Sequence, residues 1–110
     1  MTYIIYVEFI ETSVFTRQIT QLLTDAEYEQ LQRVLLLYPV AGDLIKHSGG
    51  LRKLRWRAKG KGKRGGIRVI YYFMAAREKI YMLVVYSKSE KADLSQREIR
   101  NLKLIAEKLT

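Results

Sequence analysis

The chain has 110 residues, 48% of them hydrophobic, which suits one domain over residues 1–110 built on one core. It has no cysteine and one histidine, His47, so disulfide frameworks, thiolate chemistry and His-rich metal sites are excluded. Twenty Lys and Arg against eleven Asp and Glu leave a net charge of +9, and no apolar stretch approaches the roughly 18 residues that a membrane span needs.

In chain order, residues 3–9 (YIIYVEF) are rich in aromatic and β-branched types, predicting a first strand that is apolar on both faces and therefore covered. With Glu8 and Glu11 close behind, this opening lacks the pattern of a signal peptide, and a cytoplasmic protein is expected. From Thr12 the period becomes helical: Val14, Phe15, Ile19, Leu22 and Leu23 predict a short helix to about residue 23. Thr24 and Glu27 have capping-box spacing and start a second helix with the stripe Tyr28, Leu31, Val34, Leu35 and Tyr38, which Pro39 ends. Residues 40–50, with three glycines and no sustained period, read as a loop.

In LRKLRWR (51–57), alternation sets Leu54 and Trp56 on one face and Lys53, Arg55 and Arg57 on the other, a strand with a cationic outer face. The glycine-rich AKGKGKRGG is a hairpin connection. The strand IRVIYYF follows, with Arg68, Ile70 and Tyr72 on one face and Ile67, Val69 and Tyr71 on the other. After the turn MAAREK, the apolar IYMLVVY predicts a central strand. Ser95 and Glu98 repeat the capping-box spacing before a last helix with the stripe Ile99, Leu102, Ile105, Ala106 and Leu109, which should pack on the sheet. The order β-α-α-β-β-β-α predicts an α+β domain: an antiparallel meander sheet with an N-terminal helical hairpin on one face.

Residues 51–68 contain Arg52, Lys53, Arg55, Arg57, Lys59, Lys61, Lys63, Arg64 and Arg68, with no acidic residue among them. The other eleven cations balance the eleven acidic residues, so the whole net charge is concentrated here. A single-sign cluster of this kind sets up a local positive field suited to a polyanion, against the plainer reading of a solvated loop. The acidic residues are too scattered for two-carboxylate hydrolysis or for holding Mg²⁺, and no metal or cofactor is expected. Gly60–Gly65 superficially resembles a phosphate-binding loop, but Gly66 stands where that motif needs lysine, and His47 reads as a solvated loop residue.

Phosphate chemistry by cations remains. RNA carries its own nucleophile in the 2′-hydroxyl, so cleavage needs in-line positioning, proton transfer and stabilisation of the developing charge, and arginines and lysines supply much of that. A lysine among like charges has its charged form disfavoured and suits proton transfer. Tyr72 and Tyr86 either stack on an extruded base or fill the core.

The stretches GLRKLRW, GGIRVIYYF and VYSKSEKADLS before the terminal helix resemble the RelE/HigB-type toxins of bacterial toxin–antitoxin pairs, in the RelE/ParE superfamily. The resemblance covers nearly the whole chain. It implies a microbial-ribonuclease-like fold and a ribosome-dependent endoribonuclease that cuts mRNA in the ribosomal A site and so inhibits translation. A cognate antitoxin, ribosomal RNA and mRNA are the implied partners, and the free toxin is expected as a monomer.

By the same resemblance, Arg68 is the strand arginine that binds the scissile phosphate, and Lys53 and Arg55 are the paired basic positions before it, one of them suited to proton transfer. Arg64 is a further phosphate or ribosomal RNA contact, as are Arg52, Arg57, Lys59, Lys61 and Lys63. Lys88 and Lys91 fall where relatives place another catalytic side chain. The Tyr or His expected there is replaced in YSKSEKADLS, and Lys91 is the first candidate for proton transfer. Two other readings are open: gyrase-poisoning ParE-like toxins on the same scaffold, and an RNA-binding module without catalysis, which burial of Arg68 in an ion pair would favour. Neutralisation by the antitoxin is expected to overlap the basic cluster.

Overall fold

The structure, a computed structural model, describes residues 7–57 and 66–110. The first half of the expected opening strand therefore lies outside the described residues, as do Lys59, Lys61, Lys63 and Arg64. The elements are β1 (Glu8–Glu11), α1 (Ser13–Leu22), α2 (Asp25–Leu37), β2 (Asp43–Leu44), β3 (Leu51–Trp56), β4 (Ile67–Met74), a 3-10 turn (Ala75–Arg77), β5 (Lys79–Ser87) and α3 (Gln96–Leu109).

The helix boundaries follow from capping chemistry. Thr12 accepts from the Phe15 amide at 3.0 Å and starts α1. The same hydroxyl donates to the Leu83 carbonyl at 2.6 Å, which ties the start of the helix to β5. Thr24 and Glu27 form the expected capping box at α2, and Ser95 and Glu98 form another at α3. α2 stops at Leu37, two residues before Pro39.

The five strands lie in the order β1-β5-β4-β3-β2. β2 to β5 are the antiparallel meander read from the sequence, with β2 a two-residue strand inside the segment read as a loop. β1 adds parallel to β5, which makes the sheet mixed and puts β1 at an edge among the described strands, not in the covered position expected. Its apolar residues are covered from the faces instead. Phe9 packs with the helical pair and Ile10 with the opposite cluster.

Each face of the sheet has its own core. Phe15, Ile19 and Leu22 of α1 and Leu31 and Leu35 of α2 pack on Leu54, Ile67, Val69, Tyr71, Ile80, Met82 and Val85. On the other face, Leu102 and Ala106 of α3 cover Leu51, Ile70, Tyr81 and Leu83. The face carrying Lys53 and Arg55, read as an outer face, is thus partly roofed. Leu51, two residues before Lys53, is buried on it. Of the stripe read for α3, Ile99, Leu102 and Ala106 are buried, whereas Ile105 and Leu109 are exposed.

Tyr71 ties the loop after α2 to the sheet: its hydroxyl donates to the Pro39 carbonyl at 2.7 Å and accepts from the Gly42 amide at 2.8 Å. A Cβ on Gly42 would lie 2.8 Å from the Tyr71 ring, so the close approach needs glycine.

Candidate active site

The site begins with strand register. Arg55 on β3 pairs with Arg68 on β4, and Arg68 pairs with Tyr86 on β5, so the three form one row across the sheet. The next row is Lys53, Ile70 and Val84. Like charges directly opposed on neighbouring strands repel, a cost that an anion between them relieves. Placing two arginines opposite each other is therefore an arrangement that invites a phosphate.

Tyr86 reaches this face because β5 carries an irregularity. Tyr71 pairs with Met82 and Ile70 with Val84, leaving Leu83 as the extra residue, and both Leu83 and Val84 belong to the α3-side cluster. A bulge changes the phase of a strand, and here it turns Tyr86 to the side of Arg68. At the other end of the row, Gly66 adopts φ +65°, and a Cβ there would sit 2.3 Å from the Trp56 carbonyl oxygen. Glycine is required for β4 to start this close to β3 and deliver Arg68 one residue pair in.

The segment between β5 and α3 borders the row. The Lys88 amide donates to the Gly66 carbonyl at 3.1 Å, and the Glu90 and Lys91 amides both donate to the Ser87 carbonyl. The Asp93 carboxylate accepts from the Leu94 amide at 2.9 Å and lies 3.4 Å from Lys53 Nζ. Lys91 pairs with Glu98, whose other oxygen accepts from the Ser95 amide. These bonds, the Lys91 one foremost, hold the Glu98 carboxyl below its ordinary range.

Arg68 is buried, with 7% of its surface exposed, and its guanidinium donates to the Ile67 carbonyl at 3.1 Å. The Tyr86 hydroxyl is covered and, among the described residues, is the one buried side-chain polar atom without a hydrogen-bond partner. Burial chiefly, and then the negative charge of Asp93, push its pKa up, with Arg68 opposing. It remains a neutral phenol, able to donate.

Two cavities adjoin the segment and share Leu94. One, of about 310 Å³, contains Lys53, Arg55 and Asp93; the other, of about 440 Å³, contains Tyr86, Lys91 and Glu98.

The structure thus brings Lys53, Arg55, Arg68 and Tyr86 onto one face, with Lys91 at its border. It does not bring Arg52 there. Arg52 alternates to the other side of β3 and donates to the Gly42 carbonyl at 2.8 Å, tying the loop after α2 to the sheet. Arg57 is exposed just past the end of β3, and Lys88 is exposed on the bordering segment. Tyr72 is half-buried beside Tyr81, the core-filling alternative. Sequence reasoning missed Asp93 altogether and took Glu98 for a helix cap only. No local pattern marks Asp93, because its partner Lys53 is forty residues away. Among the described residues, no three His, Cys, Asp or Glu side chains gather as a metal ion would need. Nor is any described helix long and apolar enough to cross a membrane.

A mixed five-stranded sheet, with two N-terminal helices on one face and a row of cations beside the C-terminal helix on the other, defines a small α+β domain with a cationic face. A family profile described as the RelE toxin of the RelE / RelB toxin–antitoxin system matches residues 40–110, a span that includes the whole row. The chain belongs to the RelE toxin family. Among solved structures, it is similar to a chain in the crystal structure of the intact E. coli RelBE toxin–antitoxin complex, with TM-score 0.55 and 14% identity, covering 74% of this chain and 96% of that one. It is also similar to a mutant of the E. coli toxin RelE in the free state, with TM-score 0.55 and 13% identity over 93% of this chain and 98% of that one. At these identities the likeness is one of fold.

Proposed function

We propose that this RelE-family toxin is a ribosome-dependent endoribonuclease that cuts mRNA in the ribosomal A site by attack of the 2′-hydroxyl, inhibiting translation in the cytoplasm. The observation that carries the reading is the cross-strand row of Arg55, Arg68 and Tyr86 with Lys53 in the adjacent row. In this reading Arg68 and Arg55 bind the scissile phosphate and stabilise the charge that grows on it, the largest contribution such a site can make. Lys53, 3.4 Å from Asp93, and Lys91, paired with Glu98, are the candidates for moving the proton. The cations of residues 57–64 and Lys88 serve as contacts to ribosomal RNA and messenger phosphates, and their clustering favours salt-sensitive binding. A cognate antitoxin is the partner that restrains the toxin, and an acidic one fits the basic cluster.

A second reading is an RNA-binding module without catalysis, which burial of Arg68 in an ion pair would favour; Arg68 is buried, and its guanidinium donates to the Ile67 carbonyl. Cell-free translation with purified Arg68→Ala protein separates the two. The ribonuclease reading expects about a 10²–10³-fold loss of inhibition with the fold retained by circular dichroism. Undiminished inhibition by the folded variant would assign the arrest to binding alone.

A further inference from the structure

Both lysines that the proposed reaction uses are covered by carboxylates from one stretch of chain. Between β5 and α3, Asp93 lies 3.4 Å from Lys53 Nζ, and in the first turn of α3 Glu98 pairs with Lys91. The stretch is anchored. The Lys88 amide donates to the Gly66 carbonyl, the Glu90 and Lys91 amides donate to the Ser87 carbonyl, and the Leu94 amide donates to the Asp93 carboxylate. Lys53 is held from its own side by the pairing of β3 with both β2 and β4. Stability does not account for the Lys53 pair. The Asp93 side chain is 68% exposed and that of Lys53 23%, and an ion pair this open contributes little to folding. Its effect falls on what Lys53 can bind. The 310 Å³ cavity sets Lys46, Lys53 and Arg55 against Asp43 and Asp93, so an incoming phosphate meets a carboxylate already on the lysine. Phosphate and carboxylate oxygens make the same charge-assisted bond and compete for one ammonium.

We infer that Asp93 is an autoinhibitory contact: its carboxylate stands on Lys53 in the place of an RNA phosphate, and RNA binds by displacing it. The inference rests on the phosphate-binding role proposed for the Lys53, Arg55 and Arg68 face. It adds to that reading a reason for dependence on the ribosome. Loose RNA brings few phosphates and must break the pair, whereas on the ribosome the contacts of the remaining cations hold the toxin in place while the exchange occurs.

The test is an NMR titration of the purified parent, Asp93→Asn and Asp43→Asn with a fully 2′-O-methylated RNA hexanucleotide, which lacks the attacking hydroxyl, at low and at high salt. Asparagine at position 93 keeps an oxygen for the Leu94 amide and removes only the charge. Asp43 is the control: it lines the same cavity, faces Lys53 across the β2–β3 register and makes no ion pair among the described residues. Asp93→Asn is expected to tighten binding about three- to fivefold at low salt, with the gap closing at high salt, and Asp43→Asn to change it less than about twofold. In the parent, the Leu94 amide is expected to shift as RNA is added. Equal gains in the two variants would reduce the effect to the general field of a carboxylate, and no gain in Asp93→Asn would show that RNA leaves the pair intact; either result overturns the inference. None of these readouts requires cleavage. A protein that cuts messenger RNA on the ribosome without the Asp93 response loses the autoinhibitory contact alone, and one that shows the response without cutting loses the ribonuclease reading alone.

Discussion

The Tyr86 hydroxyl is covered by its surroundings and has no hydrogen-bond partner among the described residues. An unsatisfied buried polar group costs about 1–3 kcal/mol, so Tyr86→Phe should leave the melting temperature unchanged or raise it. Melting curves showing a clear fall would mean that the hydroxyl has a structural partner after all. Lys91 and Glu98 behave differently. Glu98 is held below its ordinary value of 4.5, so its contribution to stability is present above that pH and is lost as pH falls through its lower folded value. Glu98→Gln, which keeps the capping hydrogen bond, should therefore be destabilised relative to the parent near neutral pH, and the gap should close on acidification toward pH 3. A gap that is constant across that range would show that the Lys91 pair contributes nothing through its charge. At this scale the sequence identified the cations by type and spacing. Alternation put Lys53 and Arg55 on one face of a strand, and the structure places them there. The acidic partners were not legible, because Asp93 meets Lys53 only through the tertiary fold.

At the scale of elements, helix starts were the most readable feature, because Thr24, Glu27, Ser95 and Glu98 do their capping within one turn. The faces of β4 were also readable, since its alternation is unbroken from Ile67 to Phe73. β5 was not, because a bulge leaves no signature in a run of apolar residues. Simple alternation groups Tyr86 with Ile80 and Met82, yet those two pack under α1 and α2 while Tyr86 faces Arg68. The parallel pairing of β1 with β5 was likewise hidden, since a strand's partner across the sheet is set by the packing of the helical pair and not by its own residues. Gly66 is the position where the local backbone most constrains the site. Gly66→Ala should cost about 1–3 kcal/mol from its left-handed backbone alone, and more from the contact with Trp56. Chemical denaturation checks this, and a variant as stable as the parent would show that β4 can start without this approach to β3.

For the whole molecule, the distribution of charge matters more than its total. The nine cations of residues 51–68 split into different tasks: Lys53, Arg55 and Arg68 face the candidate site, Arg52 ties down a loop, and Arg57, Lys59, Lys61, Lys63 and Arg64 belong to the connection between β3 and β4. Replacing Lys59, Lys61 and Lys63 with Ala should flatten the salt dependence of ribosome binding without removing cleavage chemistry, because each phosphate contact contributes to the slope. Equal slopes for both proteins in a sedimentation assay would place the ribosome contact elsewhere. The central claim is that the row of Arg55, Arg68 and Tyr86 cuts messenger RNA on the ribosome. Primer extension on one messenger RNA, incubated with the toxin in the presence and absence of ribosomes and repeated with Arg68→Ala, tests it most directly. The account predicts discrete stops within codons only when ribosomes and the parent protein are both present; stops that persist with folded Arg68→Ala, or arrested translation with no stops at all, would contradict it.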